Sequence, residues 1–271
     1  MYIFIFSILI LAVLALDLNK ESLEELTAAV TALSREQYYA GPMVYKGEMF
    51  FVRFSSLSAD TISEVRSEER ALQELGRIPD SPFPRLLRAF EFRRRPGFVF
   101  NLLSAAESHR VLILSFVKSK YGNLNEALED PEFLSIISVP EFYQLFMERL
   151  ADQVELMHRS RVLHRDLNSI NVIVNQENFP VLVNFHSSLV EFDPAFNFEF
   201  HAEADWFFLG ILAYYTHYQI VFLEQPSLTK EIRSFILETL RKSPQGREAF
   251  NELLKQVPAH AKAVFDQKNK K

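Results

Sequence analysis

The alternation of apolar and polar positions predicts a sheet-rich segment in the first half of the chain. Short runs on either side of Lys46-Gly47 predict a β-hairpin, and residues 62–75 repeat apolar side chains at helical spacing. Residues 96–116 contain two further strand-like runs joined by a polar turn, and a crossing segment follows at residues 116–123. The pattern therefore predicts a small sheet with one main helix.

Helical periodicity dominates the second half of the chain. Residues 140–160 and 204–218 predict two long helices, and the apolar runs at residues 171–174 and 181–185 predict two short strands between them. A sheet-rich part followed by a mostly helical part is typical of the α+β class.

An apolar leader precedes these elements. Residues 1–16 are almost all apolar and would rise about 24 Å as a helix, which is short for a bilayer core of about 30 Å. Val13 and Ala15 fit the small-residue positions of a cleavage site before Leu16. We therefore predict a signal peptide at residues 1–15, a secreted protein, and no stable membrane association after cleavage. An uncleaved signal anchor is the alternative.

Residues 16–37 predict an amphipathic helical extension before the main fold. Ser22 and Glu25 have the spacing of a capping box, and apolar side chains recur every three or four positions over residues 22–34. The chain has no cysteine and no Asn-x-Ser/Thr acceptor. Their absence fits a secreted protein that is delivered to a reducing compartment, such as the cytosol of another cell.

The composition predicts a packed core and argues against nucleic-acid binding. Apolar residues make up 48% of the 271 positions, with 26 Phe among them, and charged residues make up 24%. The net charge of −6 gives no basic surface for nucleic acid. The basic run at residues 93–95 precedes Pro96-Gly97 and is interpreted as a solvated hairpin turn.

The candidate chemistry lies in the stretch "HRDLNSIN", which places Asp166 and Asn171 on a tight loop after a long helix. His-Arg-Asp followed five residues later by Asn resembles the catalytic loop of protein kinases. Asp205, which opens "DWFFLG", resembles the kinase aspartate that braces this loop, and Arg247 stands where the kinase C-terminal helices have an arginine. The resemblance to the protein-kinase-like fold covers residues 38–257.

This resemblance implies a two-lobed fold. It places a small β-sheet N-lobe with one main helix at residues 38–117 and a mostly helical C-lobe at residues 118–271. The stretch between Asn184 and Asp205, which would be the activation segment, is short and lacks an Ala-Pro-Glu motif. The resemblance therefore implies no platform for an extended peptide acceptor.

The resemblance also assigns candidate roles to individual residues. Asp166 takes the place of the catalytic carboxylate. The remaining candidates take the places of groups that contact the phosphates, the adenine or the metal, or that support such a group. These cofactor-binding candidates are Arg53, Glu68, Leu114, Asn171 and Asn184.

Much of the phosphate-binding machinery is altered. Only Gly41 and Gly47 lie where the Gly-rich phosphate loop is expected, near residues 38–48, and their spacing does not match it. Arg53 replaces the phosphate-binding Lys. Its planar guanidinium is not interchangeable with an ammonium, so we expect it to pair with Glu68 as a structural bridge.

The metal-holding position is altered as well, because Asn184-Phe185-His186 stands in place of Asp-Phe-Gly. Mg²⁺ prefers anionic oxygen, and Asn offers a neutral carbonyl. A pair of unit charges about 4 Å apart interacts by about 4 kcal/mol at an effective dielectric constant of about 20. This loss would weaken metal binding on the order of a thousandfold. Asn171 is neutral too, and the histidines lack zinc-ligand spacing, so we expect no metal.

These features favour a catalytically inactive pseudokinase that acts as a scaffold or allosteric regulator of a protein partner, with another kinase as one candidate. Under this hypothesis Asp166 accepts hydrogen bonds within its own loop and His164 is a core residue. The alternatives are a divergent ATP-dependent kinase with weak or unusual metal use and a switch that senses nucleotide through weak, metal-independent ATP binding.

Two segments are the predicted contact surfaces for this partner. One is the amphipathic helix at residues 22–34. The other is the Phe-rich stretch at residues 192–200, in which Phe196 and Phe198 are expected to be exposed.

Overall fold

A computed structural model of the chain describes residues 38–56, 59–93, 108–190, 198–242 and 246–270. The predicted signal peptide, the helical extension and the strand-like run at residues 96–103 lie outside these ranges. The chain divides into two compact units between Phe116 and Val117. None of the helices in the described ranges is both long enough and apolar enough to cross a bilayer.

The first unit contains a four-stranded antiparallel sheet. Its strands lie in the order β1-β2-β4-β3. The predicted hairpin is confirmed, with Lys46 and Gly47 forming its turn at φ values of 48° and 83°, as a two-residue turn with left-handed residues requires. The strands are β1 (Tyr38–Tyr45), β2 (Glu48–Ser56), β3 (Leu86–Arg93) and β4 (Ser108–Ser115).

The hairpin occupies the place of the expected phosphate loop. Gly41 lies within β1 and pairs with Val52 of β2, and Gly47 belongs to the tight turn. Residues 38–48 therefore form a regular strand and a short turn.

Both faces of this sheet carry buried side chains. On one face Phe50, Val52, Val111 and Ile113 form an apolar cluster. Because side chains alternate along a strand, Arg53 and Leu112 point to the opposite face, and both are buried. The predicted main helix is confirmed as α1 (Ala59–Leu75). Its buried apolar side chains include Val65, Leu72 and Leu75.

Strand β3 was missed by the sequence analysis. The sequence predicted two strands joined by a polar turn within residues 96–116, whereas the structure pairs β4 with β3 at residues 86–93. Polar residues interrupt the pattern of β3, and the basic run was interpreted as a turn although Arg93 ends the strand. Glu91 of β3 lies opposite Arg110 of β4, so a cross-strand pair of opposite charge stabilises a strand of mixed composition.

The second unit is mostly helical, and the α+β class is confirmed. Two small antiparallel sheets accompany its helices, one with the order β5-β7-β8 and one that pairs β6 with β9. The predicted long helices and the two short strands between them are present, while part of the predicted crossing segment forms β5. The elements are β5 (Ser119–Asn123), α2 (Leu124–Ala127), α3 (Pro131–Ile137), α4 (Pro140–Arg159), β6 (Val162–Leu163), β7 (Val172–Asn175), β8 (Pro180–Leu182), β9 (Leu189–Val190), α5 (Phe198–Phe222), α6 (Lys230–Leu240) and α7 (Gly246–Lys268).

Helix α5 is central to the core of the second unit. Gly210 lets it approach α6 and α7 closely, since a Cβ at this position would lie 2.8 Å from Ile236 and 2.9 Å from Leu253. The large rings expected from the Phe-rich composition pack in the cores of the two units. Among the residues whose burial the structure describes, the buried Phe side chains are Phe50, Phe83, Phe133, Phe146, Phe185, Phe198 and Phe250.

Phe198 corrects the predicted contact surface at residues 192–200. Its side chain is only 4% exposed. The ring meets His158 edge-on at 5.9 Å, and the Arg161 guanidinium lies 5.0 Å from its centroid. Phe198 is therefore a packing residue of α5, because the first turn of this helix folds against the end of α4. Phe196 and the other residues over 191–197 lie outside the described ranges.

We predict that Phe198→Ser lowers the free energy of unfolding by about 3 kcal/mol or more, because it removes a buried ring and leaves a cavity. Phe208→Ser is the matched control on the same helix. Phe208 is 38% exposed, so its replacement should cost less than about 1 kcal/mol. Urea unfolding of both variants measures the difference, and equal effects would contradict the buried placement of Phe198.

Candidate functional site

The loop after β6 is held by a single buried carboxylate. Asp205 of α5 is fully buried. One of its oxygens accepts a hydrogen bond from the His164 backbone N–H at 2.9 Å, and the other accepts one from the Arg165 N–H at 2.8 Å. His158 Nε2 of α4 lies 3.0 Å from the first of these oxygens. Arg165 has φ of 65°, so these hydrogen bonds hold a backbone conformation that is uncommon for a non-glycine residue.

His164 is a core residue, as predicted. Its side chain is fully buried, and its ring packs against Phe185 at 4.9 Å. Nε2 donates to the Val183 carbonyl at 3.0 Å, while Nδ1 accepts from the Asp166 N–H at 3.3 Å. Burial lowers the pKa of His164. The neutral imidazole therefore connects the loop to the segment after β8.

Asp166 accepts hydrogen bonds within its own loop, which confirms that part of the prediction. Asn171 Nδ2 donates to Asp166 Oδ2 at 2.8 Å, and Asn168 Nδ2 donates to Asp166 Oδ1 at 2.9 Å. Asn168 also caps the short 3-10 turn at Ser169–Asn171, because its Oδ1 accepts from the backbone N–H groups of Ile170 and Asn171. The carboxylate is thus oriented by two amides of the same loop.

Asn184 and His186 extend these contacts into a ring of polar side chains that is hydrogen-bonded on three of its four sides. Asn184 Nδ2 donates to Asn171 Oδ1 at 2.7 Å, and Asn184 Oδ1 lies 2.8 Å from His186 Nδ1. His186 Nε2 in turn lies 4.0 Å from Asp166 Oδ2. We call these four residues, Asp166, Asn171, Asn184 and His186, the polar ring.

The ring has little to offer a divalent cation. The side-chain oxygens of Asn171 and Asn184 each face a donor within the ring, and Asp166 is its single carboxylate. Mg²⁺ requires several oxygen ligands in near-octahedral geometry. No group of three His, Asp or Glu side chains suited to a metal is present in the described part of the chain.

The other predicted site residues lie together in the first unit. Arg53 Nη1 donates to Glu68 Oε2 at 2.7 Å, and both side chains are buried. Glu64 Oε2 lies 3.9 Å from Arg53 Nη2. The predicted ion pair is therefore present. Leu114 is buried in β4, where it pairs with Phe51 of β2 and Leu86 of β3.

The structure thus sorts the six predicted site residues into two groups. Asp166, Asn171 and Asn184 form one group in the second unit, and the other three residues belong to the first. Sequence reasoning assigned no hydrogen-bonding role to Asn168 or His186. The available signal was the Asn two residues after Asp166, since Asn favours local hydrogen bonds to the backbone.

Arg247 has a structural partner. It donates to the Glu148 carbonyl at 3.0 Å and to the Asp152 carboxylate at 2.8 Å. Both acceptors belong to α4, so Arg247 ties the start of α7 to the middle of that helix.

No model of a known protein family matches the chain, and the search of curated proteins gave no match.

We predict that Asp205→Ala lowers the free energy of unfolding by about 3 kcal/mol or more. It leaves one buried and one partly buried backbone N–H without their acceptor, and each loss of a buried partner costs about 1–3 kcal/mol. Asp152→Ala is the control, since it removes an exposed carboxylate from a surface ion pair worth at most about 1 kcal/mol. Guanidinium unfolding of both variants measures these effects, and a mild effect of Asp205→Ala would contradict the bracing role.

We also predict that stability falls when the pH drops below about 6.5. Burial lowers the pKa of His164 and of His217, so these two side chains bind fewer protons in the folded chain than in the unfolded chain in that range. Their contribution is complete above the ordinary histidine pKa of about 6.5 and is lost as the pH falls. Each histidine contributes at most about 1.4 kcal/mol per pH unit.

His217→Phe tests this pH dependence. The His217 ring packs against Tyr143 at 5.5 Å, so Phe preserves a ring while it removes the titrating group. The free energy of unfolding of this variant, measured from about pH 7.5 to about pH 5.5, should fall less steeply than that of the parent chain. Identical slopes would exclude a contribution from His217.

Proposed function

We propose that the protein is a catalytically inactive, protein-kinase-like protein that acts by binding another protein as a scaffold or allosteric regulator. The observation that carries the proposal is the polar ring. Side chains at the positions that would hold the reacting groups and the metal instead hydrogen-bond to one another, and only Asp166 among them is a carboxylate.

The loop geometry supports the kinase-like part of this proposal. Asp205 receives two backbone N–H groups of the His164-Arg165-Asp166 stretch, in keeping with the bracing role that the resemblance implies. The long helix before the loop and the strand pair after it have the expected order. The first unit has a sheet and one main helix, and the buried Arg53–Glu68 pair joins the two. This arrangement fits the small lobe of a kinase-like fold.

Electrostatics supports the inactive part of the proposal. Phosphoryl transfer requires divalent metal and a cation on the phosphates. Asn184 lacks the charge that would hold the metal, and Arg53 is buried in its contact with Glu68. Replacing one ionic contact with a neutral one at about 4 Å removes about 4 kcal/mol at an effective dielectric constant of about 20.

An exposed apolar stripe on α5 supports the protein-binding part. Phe208 is 38% exposed, and Ile211 and Tyr215 are partly exposed at the following helical positions of the same face. A helix that is apolar on all sides is usually covered on all sides. Apolar side chains that reach solvent along one face of such a helix support a contact with another protein there. The predicted surface at residues 22–34 lies outside the described ranges and stays a prediction.

We predict that millimolar ATP leaves the unfolding temperature of the chain unchanged, with or without Mg²⁺ or Mn²⁺. A ligand at a hundred times its dissociation constant would add about 2.7 kcal/mol of stability and raise the midpoint by roughly 5–10 °C. A metal-dependent rise would indicate a divergent kinase. A rise without metal would indicate a nucleotide-sensing switch.

We predict that Asn184→Asp combined with Arg53→Lys makes ATP binding dependent on Mg²⁺. The new carboxylate would face the Asn171 carbonyl oxygen in the absence of metal, so the variant should be less stable than the parent by about 1–3 kcal/mol. Binding of ATP and Mg²⁺ should restore this stability, which thermal unfolding measures. Arg53→Lys alone is the control. This single variant keeps Asn184. If ATP and Mg²⁺ raised its unfolding temperature, that result would contradict the role assigned to the metal position.

A further inference from the structure

The hydrogen bonds of the polar ring fix the orientation of both amide side chains. Asn171 Nδ2 lies 2.8 Å from two acceptors, the backbone carbonyl and the carboxylate of Asp166. The amide nitrogen of Asn171 must therefore face Asp166, and its oxygen must face Asn184. Because that oxygen only accepts, the group of Asn184 that lies 2.7 Å from it is the amide nitrogen.

This orientation determines the tautomer of His186. With its nitrogen turned to Asn171, Asn184 presents its oxygen to His186 Nδ1 at 2.8 Å. An amide oxygen cannot donate, so Nδ1 must carry the proton. In the neutral ring the lone pair then lies on Nε2, the nitrogen nearer to Asp166.

Two hydrogen-bond acceptors consequently lie side by side. His186 Nε2 and Asp166 Oδ2 are 4.0 Å apart, too far for a direct hydrogen bond. A single nitrogen placed about 2.8 Å from each would subtend an angle of about 90° between them, which suits a donor with two or more N–H groups. The described residues place no donor within hydrogen-bond distance of Nε2.

We propose that Asp166 and His186 form a binding site for a primary ammonium group, such as a lysine side chain of a protein partner. The side chains of Asp166 and His186 are 38% and 23% exposed, so a ligand reaches them from solvent. An ammonium carries three N–H donors, and its charge complements the carboxylate. The inference rests on the proposed protein-binding function and names one group through which the partner is held.

The neighbouring charges agree with a cationic ligand. Asp205 is satisfied by backbone N–H groups of the loop, and His164 is neutral because its Nδ1 accepts a hydrogen bond. Asp166 accepts two hydrogen bonds from amides, neither of which carries a charge. Its negative charge therefore has no cation within the loop contacts, and an ammonium would supply one.

The first test is ¹⁵N NMR of the full chain with labelled histidine at about pH 8, where an ordinary histidine is neutral. The spectrum of His186→Phe identifies the His186 signals. We expect a protonated Nδ1 and an unprotonated Nε2. A ring that carries its proton on Nε2, alone or together with Nδ1, would overturn the proposal.

The second test is a titration that compares two cations of equal charge. Methylammonium should shift the Nε2 signal in a saturable way. Tetramethylammonium has no N–H donor and should produce only the small shift of added salt. An equal response to both cations, or no response to either, would overturn the ammonium site.

Matched variants complete the test. Asp166→Asn keeps the shape of the loop and should weaken methylammonium binding by about tenfold or more, because it removes the charge-assisted hydrogen bond. Asp152→Asn removes an exposed carboxylate of α4 and should leave the binding unchanged. Unchanged affinity in Asp166→Asn would contradict the assignment. These results do not depend on ATP, so they separate a failure of the ammonium site from a failure of the proposed inactivity.

Discussion

The conformation of the loop after β6 depends on the hydrogen bonds that the Asp205 carboxylate accepts from it. A buried charge of this kind is costly unless hydrogen bonds satisfy it. Here two consecutive backbone N–H groups and the His158 ring surround the carboxylate. The loop is thereby tied to α5 and α4 at once, and the unusual backbone conformation of Arg165 is held in place. The positions of Asp166, Asn168 and Asn171 follow from this anchoring.

Beyond that anchor, the loop organises itself through neutral groups. An unsatisfied buried donor or acceptor costs about 1–3 kcal/mol, so a polar cluster is stable when its members pair with one another. The amides of Asn168, Asn171 and Asn184 do this around Asp166. The contacts of the first unit follow the same principle, since Arg53 and Glu68 pair within the buried interior. Asp166, Asn171 and Asn184 are thus hydrogen-bonded within the second unit, and Arg53 and Glu68 are paired within the first.

This self-sufficiency gives the proposed function its physical basis. An active site must leave charged groups available for its substrate and metal. The side chains of Asp166, Asn171 and Asn184 instead hydrogen-bond to one another. The acceptor pair at Asp166 and His186 keeps hydrogen-bonding capacity that is open to solvent. The exposed apolar stripe of α5 adds surface of the kind that proteins use to contact one another.

Local signals in the sequence determined many of the elements. The hairpin at Lys46-Gly47, helix α1 and helix α4 follow from turn residues and apolar periodicity, because these preferences act between neighbours in the chain. The pairing of Arg53 with Glu68 was also predictable, since the resemblance gave each a place. His164 was identified as a core residue on the same ground.

Tertiary structure decided what depends on distant partners. Strand β3 has a mixed composition and forms by pairing with β4, which begins at Ser108, well after β3 ends at Arg93. Phe198 was expected to be exposed because its stretch is rich in Phe, yet the end of α4 covers it. The polar ring joins side chains from the loop and from the segment after β8, so its formation depends on how those two segments pack. The sequence specified the neutral amides of Asn171 and Asn184, and only the fold decided that they hydrogen-bond to each other.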